Sequence, residues 1–497
     1  MSLVSLASLV VSAAAAALAP PPDHLSNLRN WVGSAGGDVA AISVRDIDGI
    51  RGVQLEQSSP LMTEFMKVPA ACGLSDDLDE LLGTPVGAAI GRSQLSLLQP
   101  DAHLALRLLH EASLGEVSPW YDYIALLPEH VPVARHISDE SLLASRSDYL
   151  LKQSMAARNY ATGLEATLKR LVEGNGGDGE DVSVLINLER LGWALDIVHS
   201  RSLTVDMGRD DPRGVRRFLI PLVDFLNHAG DGCAFTYDEK DDPPSFIIEL
   251  KEGDEVRAPS PKQQLHLDYG DKTCEELWLM YGFVPDAPTP YDAVTLDGAY
   301  SDEDVAAMEA ADAPSDMLEE KRHLLESNRY GPPRCFGITG RQVDPAIVCA
   351  LRLMFLTADE LRDECNGNWN RPLLHAPVSL DNERLVASSL QSRLGRLLSA
   401  EPTTLEQDER LLDDDEDEWE ALGLERDDPA MVEETRCAVQ LRANRKRLIK
   451  EMMDRLDGFI GLLEDDAQPS GSTTGAAGQV PNLLACLEDY MPGIRLV

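Results

Sequence analysis

The stretch "LIPLVDFLNHAGDGC", residues 219–233, opens as an apolar run of the buried-strand kind and then breaks into Asp224, Asn227 and His228 before ending in small residues. A strand that only fills a core has no use for a carboxylate, an amide and an imidazole so close together. Buried polar groups are costly unless hydrogen-bonded, so three of them together indicate that something polar is held there. The stretch therefore reads as a strand running into a polar site.

Strand and turn character continues on both sides of it. "RFLIPLVDFLNH" (217–228), "SFIIELKEGDEV" (245–256) and "QLHLDYG" (264–270) are short β-type runs bounded by turn residues, and residues 39–69 are similar pieces broken by Gly49, Gly52 and Pro60. Between these two blocks the period changes. Residues 101–115 ("DAHLALRLLHEASLG") and 141–173 carry apolar residues at helical spacing. From about residue 302 onward the pattern is helical again, with a long helix predicted over 430–463. The expected fold is α+β. A β-rich domain over 23–290 is interrupted by a helical insert at about 100–200, and an all-α domain follows over 291–497.

Composition bounds what such a chain can do. With 497 residues, 43% of them hydrophobic, it can bury more than one core. The 85 acidic residues against 44 basic ones give a formal charge of -41, which repels polyanions and argues against DNA or RNA as a partner. Eight scattered cysteines form no CxxC pair and read as reduced thiols. At the start, "SLVSLASLVVSAAAAALAPPP" (2–22) carries no charge and ends in small residues and prolines. It reads as a targeting segment rather than a membrane span, being short of the roughly 20 apolar residues a span needs. Its Ala-Leu-Ala-Pro end is similar to the junction of plastid-targeting peptides in algae with complex plastids, so a plastid address is expected; without that address the chain reads as cytoplasmic. Near the other end, the acidic run at 408–429 is expected to be a solvated face or to pair with "RANRKRLIK" (442–450) just downstream.

Other motifs carry little chemistry. "GNGGDG" (174–179) matches GxGxxG in form, but it follows a helical segment and is surrounded by acidic residues, so it reads as a linker. His103, His110 and Glu111 share a helix face among leucines and fall short of a zinc set. No metal site is expected.

Four pieces, in order, carry more: "SPWYDYIALLPEHV" (118–131), "WALDIVHSRSL" (193–203), "IPLVDFLNHA" (220–229) and "HLDYGDKTCEELWLMYGFVPD" (266–286). Together they resemble the SET-domain methyltransferases of the Rubisco large-subunit methyltransferase type. That family has a Gly-rich loop, S-x-W-x-x-Y-x-x-x-LP, S-R, P-x-x-D-x-x-NH, and Y-G followed by Y-G-F. Here these become Gly49-Ile50-Arg51-Gly52, Ser118 to Pro128, Ser200-Arg201, Pro221 to His228, Tyr269-Gly270 and Tyr281-Gly282-Phe283. The resemblance covers about residues 39–285. Helices after residue 290 also suit the family, whose C-terminal domain docks protein substrates.

The resemblance implies S-adenosyl-L-methionine as cofactor and methylation of a lysine side chain in a protein such as Rubisco or aldolase, by a monomer that needs neither metal nor membrane. It assigns cofactor contacts to Gly49, Ile50, Arg51, Arg201, Asp224, Asn227, His228 and Phe283, catalysis to Tyr269, and the substrate channel to Leu203 and Tyr281. Histidine-specific relatives carry an Asn two residues after the Ser-Arg arginine; Leu203 stands there and favours lysine. The chain departs from the pattern at the acidic residue expected before the glycine pair, at Ala229 where a serine is common, and at Cys274 where an Asn is common. Three readings follow: a lysine methyltransferase, a histidine methyltransferase, or a non-catalytic SET-like interaction module.

Overall fold

A computed structural model describes residues 22–47, 49–56, 63–174, 186–208, 214–251, 260–298, 300–310, 315–327, 335–365, 376–413, 429–466 and 480–487. Most of the targeting-like segment, the "GNGGDG" linker beyond residue 174 and the acidic run from residue 414 to 428 lie outside them. The chain divides into two compact units, Met1–Val284 with Leu424–Ala438, and Pro285–Gly423 with Val439–Val497.

The first unit holds the expected strand, helix and strand blocks. Strands β1 (Ile42–Ile47), β2 (Ile50–Leu55) and β3 (Glu64–Pro69) come before the helices, and β4 (Leu74–Ser75) follows closely. The later strands are β5 (Leu203–Asp206), β6 (Val215–Leu219), β7 (Asn227–Asp238), β8 (Ser245–Glu249) and β9 (Gln264–Leu267). They form a six-stranded sheet in the order β1-β2-β9-β7-β8-β3 and a three-stranded sheet β4-β6-β5. The sheets are mainly antiparallel, but β7 and β9 run parallel, which sets Asn227 opposite His266 and His228 opposite Leu267. The register then slips so that Cys233 also faces Leu267, and residues 229–232 are looped out as a bulge. Gly232 is required in that bulge. A Cβ there would lie 2.7 Å from the Leu267 carbonyl carbon and 2.8 Å from the Asp268 nitrogen.

Between β4 and β5 come the insert's helices, among them Pro100–Leu114, Asp148–Gly174 and Leu188–Arg201. Pro100 opens its helix, where the missing N–H is no loss, and Asn187 caps the last of them by accepting from the Arg190 N–H. Leu104, Leu108, Leu195 and Val198 bury the facing stripes of two of these helices in the same core as Val53, Phe246 and Leu265 of the sheet. The helix Leu188–Arg201 ends by delivering Arg201 to the edge of that core.

The second unit is mostly helical, as expected, and in addition carries a two-stranded pair, β10 (Val294–Asp297) with β11 (Cys335–Ile338). Its helices include Pro345–Met354, Leu380–Ser399 and the part from residue 439 of the long helix Pro429–Asp466, whose predicted range was 430–463. They bury Ile347, Leu351, Leu390, Leu394, Met452 and Leu456 together. The predicted pairing of the basic stretch is present in its described part. Arg442 and Lys446, one turn apart, both reach the buried Asp408 at 2.6 Å, and Arg447 reaches Glu409 at 3.1 Å.

Candidate active site

The decisive stretch does not continue as a strand through Asp224. Strand β6 stops at Leu219, and residues 220–226 turn the chain before β7 begins at Asn227. The turn is made by Leu222, fully buried at φ +68°, followed by one 3-10 turn, Val223–Phe225. A leucine in the left-handed region is strained, and such strain persists only where the surroundings impose it. Its effect is to drive Asp224 inward.

The Asp224 side chain is completely buried and faces two cations. Arg201 donates through Nη1 to the Asp224 carbonyl at 2.8 Å and lies 3.4 Å from Oδ2, while the Tyr123 hydroxyl donates to Oδ2 at 3.0 Å. Arg51 sits over the Phe225 ring at 4.8 Å and donates to the Leu126 carbonyl. Burial pushes the Asp224 carboxyl above its usual range against the pull of Arg201. Burial and the neighbouring Arg201 bring Arg51 down to about 10. Two buried atoms of the cluster, Asp224 Oδ1 and Arg201 Nε, have no hydrogen-bond partner among the described residues. One accepts and the other donates.

A second group is aromatic. The ring of Tyr269 lies 4.5 Å from that of Tyr281 and 5.0 Å from the His228 imidazole, and Phe283 stands 6.2 Å from His228 and 6.4 Å from Tyr281. The Tyr269 hydroxyl donates to the Leu226 carbonyl at 2.7 Å, and its N–H donates to His228 Nδ1 at 3.2 Å. Burial pushes the Tyr269 phenol up and the His228 imidazole down, so the first stays protonated and the second neutral near pH 7. Gly282, at φ +82°, turns the chain between Tyr281 and Phe283, where a Cβ would strike Pro132.

The glycine loop closes the group. Asn227 donates through Nδ2 to the Arg51 carbonyl at 3.1 Å, tying β7 to β2. A Cβ on Gly52 would lie 2.5 Å from Gln264 Nε2 and 3.1 Å from Asn227 Nδ2, so the backbone must be bare there. Gly49 takes φ +84° in the turn that pairs Ile47 with Ile50. An acidic residue does serve this loop, since Asp46 accepts from the Gly49 N–H at 2.8 Å. Leu203 opens β5 opposite Phe218 and packs half-buried against the core. Ala229 falls in the bulge, and Cys274 is buried at the start of the helix Cys274–Tyr281, whose capping box of Thr273 and Glu276 does not use it.

Tyr123 joins the site although, taken alone, it reads as packing. It belongs to the S-x-W-x-x-Y motif, but its partner lies 101 positions away, and a single sequence does not reveal that pairing. The other candidates behave as structure. His103 Nε2 meets the Leu95 carbonyl at 2.8 Å and Glu111 accepts from Ser118 at 2.7 Å. No set of three or more His, Cys, Asp or Glu side chains among the described residues could hold a metal ion.

The chain is similar to several known proteins. The sequence model of one domain family, Rubisco LSMT substrate-binding, matches residues 313–449. The chloroplastic [fructose-bisphosphate aldolase]-lysine N-methyltransferase of Arabidopsis thaliana is 28% identical over 64% of this chain. The chloroplastic ribulose-1,5 bisphosphate carboxylase/oxygenase large subunit N-methyltransferase of Pisum sativum is 25% identical, also over 64%. The match spans 62% of the length of each of these two relatives. The actin-histidine N-methyltransferase of Danio rerio is 22% identical over 86% of this chain and 67% of its own length. Among solved structures, the SET domain of LSMT bound to MeLysine and AdoHcy superposes with a TM-score of 0.55 at 21% identity, covering 90% of this chain and 94% of that one. Residues 313–449 thus match the Rubisco LSMT substrate-binding family, and the fold is similar to that of the LSMT SET-domain structure.

Proposed function

We propose that this protein transfers a methyl group from S-adenosylmethionine to a lysine side chain of a protein substrate, and that it does so in a plastid. The observation that carries the reading is the Tyr269 phenol. Its proton is committed to the Leu226 carbonyl, so its oxygen lone pairs are free to accept from an incoming amine inside an aromatic enclosure.

The residues present fit the cofactor. Its aminocarboxylate end offers both donors and acceptors, and Asp224 Oδ1 and Arg201 Nε are a buried acceptor and donor without partners in this structure. Asn227 and the bare backbone at Gly52 supply the neighbouring cradle. S-adenosylmethionine, when bound, supplies a methyl group on a positively charged sulfur. The protein is left with positioning and electrostatics, not with making an electrophile. Tyr269 orients the amine nitrogen. Tyr281, Phe283 and His228 wall the channel and exclude water from it, and an apolar enclosure also favours the neutral amine, whose ordinary pKa near 10.4 must be overcome before attack.

Lysine is favoured over histidine by Leu203, an apolar residue where histidine-specific relatives carry an Asn. Two of the relatives are chloroplastic, which supports the plastid address, and the relatives acting on aldolase and on the Rubisco large subunit point to substrates of that class. Among the described residues no helix is long and apolar enough to cross a membrane. The test is transfer of radiolabelled methyl from S-adenosylmethionine into a plastid extract, followed by mass spectrometry of the labelled band. Methyl-lysine is expected; methyl-histidine would reassign the target, and no label together with no cofactor binding would reduce the protein to an interaction module.

A further inference from the structure

We infer that Tyr123, on the helical insert, is a positioning residue for the cofactor site: through Asp224 it sets where Arg201 stands. The inference rests on the reading of the Asp224 and Arg201 cluster as cofactor-holding. The insert touches the site in one short segment. Tyr123 donates to Asp224 Oδ2, and three residues later the Leu126 carbonyl takes the Arg51 guanidinium. Between them lies Phe225, stacked on Tyr123 at a ring separation of 6.4 Å and covered by Arg51 at 4.8 Å. The segment 123–126 therefore holds both arginines of the cluster, one directly and one through the carboxylate.

The geometry makes the hydroxyl specific. Tyr123 is completely buried, and its hydroxyl takes the one carboxylate oxygen of Asp224 that is in use. Arg201 grips the Asp224 backbone at 2.8 Å but the carboxylate only at 3.4 Å, so the phenol makes the shorter contact with Oδ2 and fixes how the carboxylate is turned. That rotation decides where the open Oδ1 points. Without the hydroxyl, Asp224 can rotate to a bidentate grip on Arg201, which would use up the acceptor and the donor now left open.

The insert contains a matched control. Tyr160, partly buried, donates to the buried Asp101 at 3.1 Å, and that carboxylate is shared with His199, not with Arg201. Calorimetric titration of the full chain with S-adenosylmethionine, alongside thermal unfolding, separates positioning from folding. Tyr123→Phe is expected to raise Kd about tenfold, the loss of one hydrogen bond to a charged group, while Tyr160→Phe leaves it within twofold. In an Asp224→Asn background, already weakened, Tyr123→Phe is expected to add nothing. Equal Kd values for wild type and Tyr123→Phe would overturn the inference, as would equal losses in both tyrosine variants. Should Tyr123→Phe fold poorly, Asp224→Asn alone decides, since unchanged affinity there removes the relay. Absence of binding by the wild type would sink the cofactor reading and the inference with it, whereas binding by the wild type with no effect of Tyr123→Phe sinks the inference alone.

Discussion

Buried carboxylates of the two units are treated differently. In the second unit, Asp408 has both oxygens in use: Oδ1 accepts from Arg442 at 2.6 Å and Thr403 at 2.7 Å, and Oδ2 from Lys446 at 2.6 Å. Glu383 is the same, with Oε1 on Arg352 at 2.5 Å and Oε2 shared by Arg352 at 2.8 Å and the Leu483 N–H at 3.1 Å. Asp224 of the first unit uses one oxygen and leaves the other without a partner among the described residues, as is Nε of Arg201, its ion-pair partner. An ion pair that serves only the fold is expected to satisfy every atom, because each unmet one costs free energy. Other buried pairs leave a single atom unmet, Glu401 Oε2 and Arg107 Nε among them, but among the described residues the Asp224–Arg201 pair leaves both an acceptor and a donor open, which is what the proposed cofactor reading requires.

The contrast breaks most visibly on the structural side. Arg352→Leu strands the Glu383 carboxylate, with both partners at zero exposure, and is expected to cost about 3–5 kcal/mol in denaturant-induced unfolding. A loss under about 1 kcal/mol would mean that the satisfied pair contributes little and that satisfaction is no guide to role. Tyr269→Phe should act in the opposite sense. Methyl transfer is expected to fall by about 10²–10³ while cofactor affinity and unfolding midpoint stay close to wild type, because in the proposed function the phenol orients the amine and its ring packing is kept. Unchanged turnover would remove Tyr269 from the chemistry.

A third substitution sits between fold and site. Gly232→Ala puts a methyl against the Leu267 and Asp268 backbone, which cannot yield without moving the strand end that carries Tyr269. About 1–3 kcal/mol of stability should go, as in overpacked cores, and methyl transfer should weaken with it. A variant of normal stability and activity would show that the bulge is free to relax.

How much of this was legible in the sequence depends on the range of each interaction. The helix at Pro100–Leu114 and the long helix Pro429–Asp466 follow from local periodicity, and both lie within a few residues of the expected ranges. The basic stretch found its acidic partners at Asp408 and Glu409 because charge pattern is readable at a distance. The run from Ile220 to Leu226 reads as strand on composition alone and as a turn anchored by Asp224 once the family pattern is applied; the structure makes it a turn, through a positive φ at Leu222 that only the surrounding fold imposes. Tyr269, Tyr281, His228 and Phe283 were named together from the family pattern, and the structure brings them into one aromatic group. Tyr123 reads as packing within its motif and not as a site residue, because its hydroxyl meets Asp224 across 101 positions and a tyrosine taken alone is as good a packing residue as a hydrogen-bond donor.

The smallest effect concerns His228, which joins the aromatic group to the backbone. Its Nδ1 accepts from the Tyr269 N–H, so the neutral imidazole is the form the site holds, and burial keeps its pKa below the ordinary value near 6.5. The Leu267 carbonyl, 3.4 Å from Nδ1, and after it Asp268 pull the other way, while Lys251 and Lys272 reinforce the depression. For a group depressed in the folded state, the unfolded chain takes up the proton first as pH falls. The stability this histidine contributes is therefore present above about pH 6.5 and is lost on acidification through its lower folded value. His228→Gln does not titrate, so the difference in unfolding free energy between wild type and variant should shift against the wild type between about pH 7 and 5. A flat difference would mean that the imidazole is exposed enough to titrate normally, and a shift in favour of the wild type would mean that Asp268 governs it. In either case the hydrogen bond from the Tyr269 N–H could not be what orients the ring.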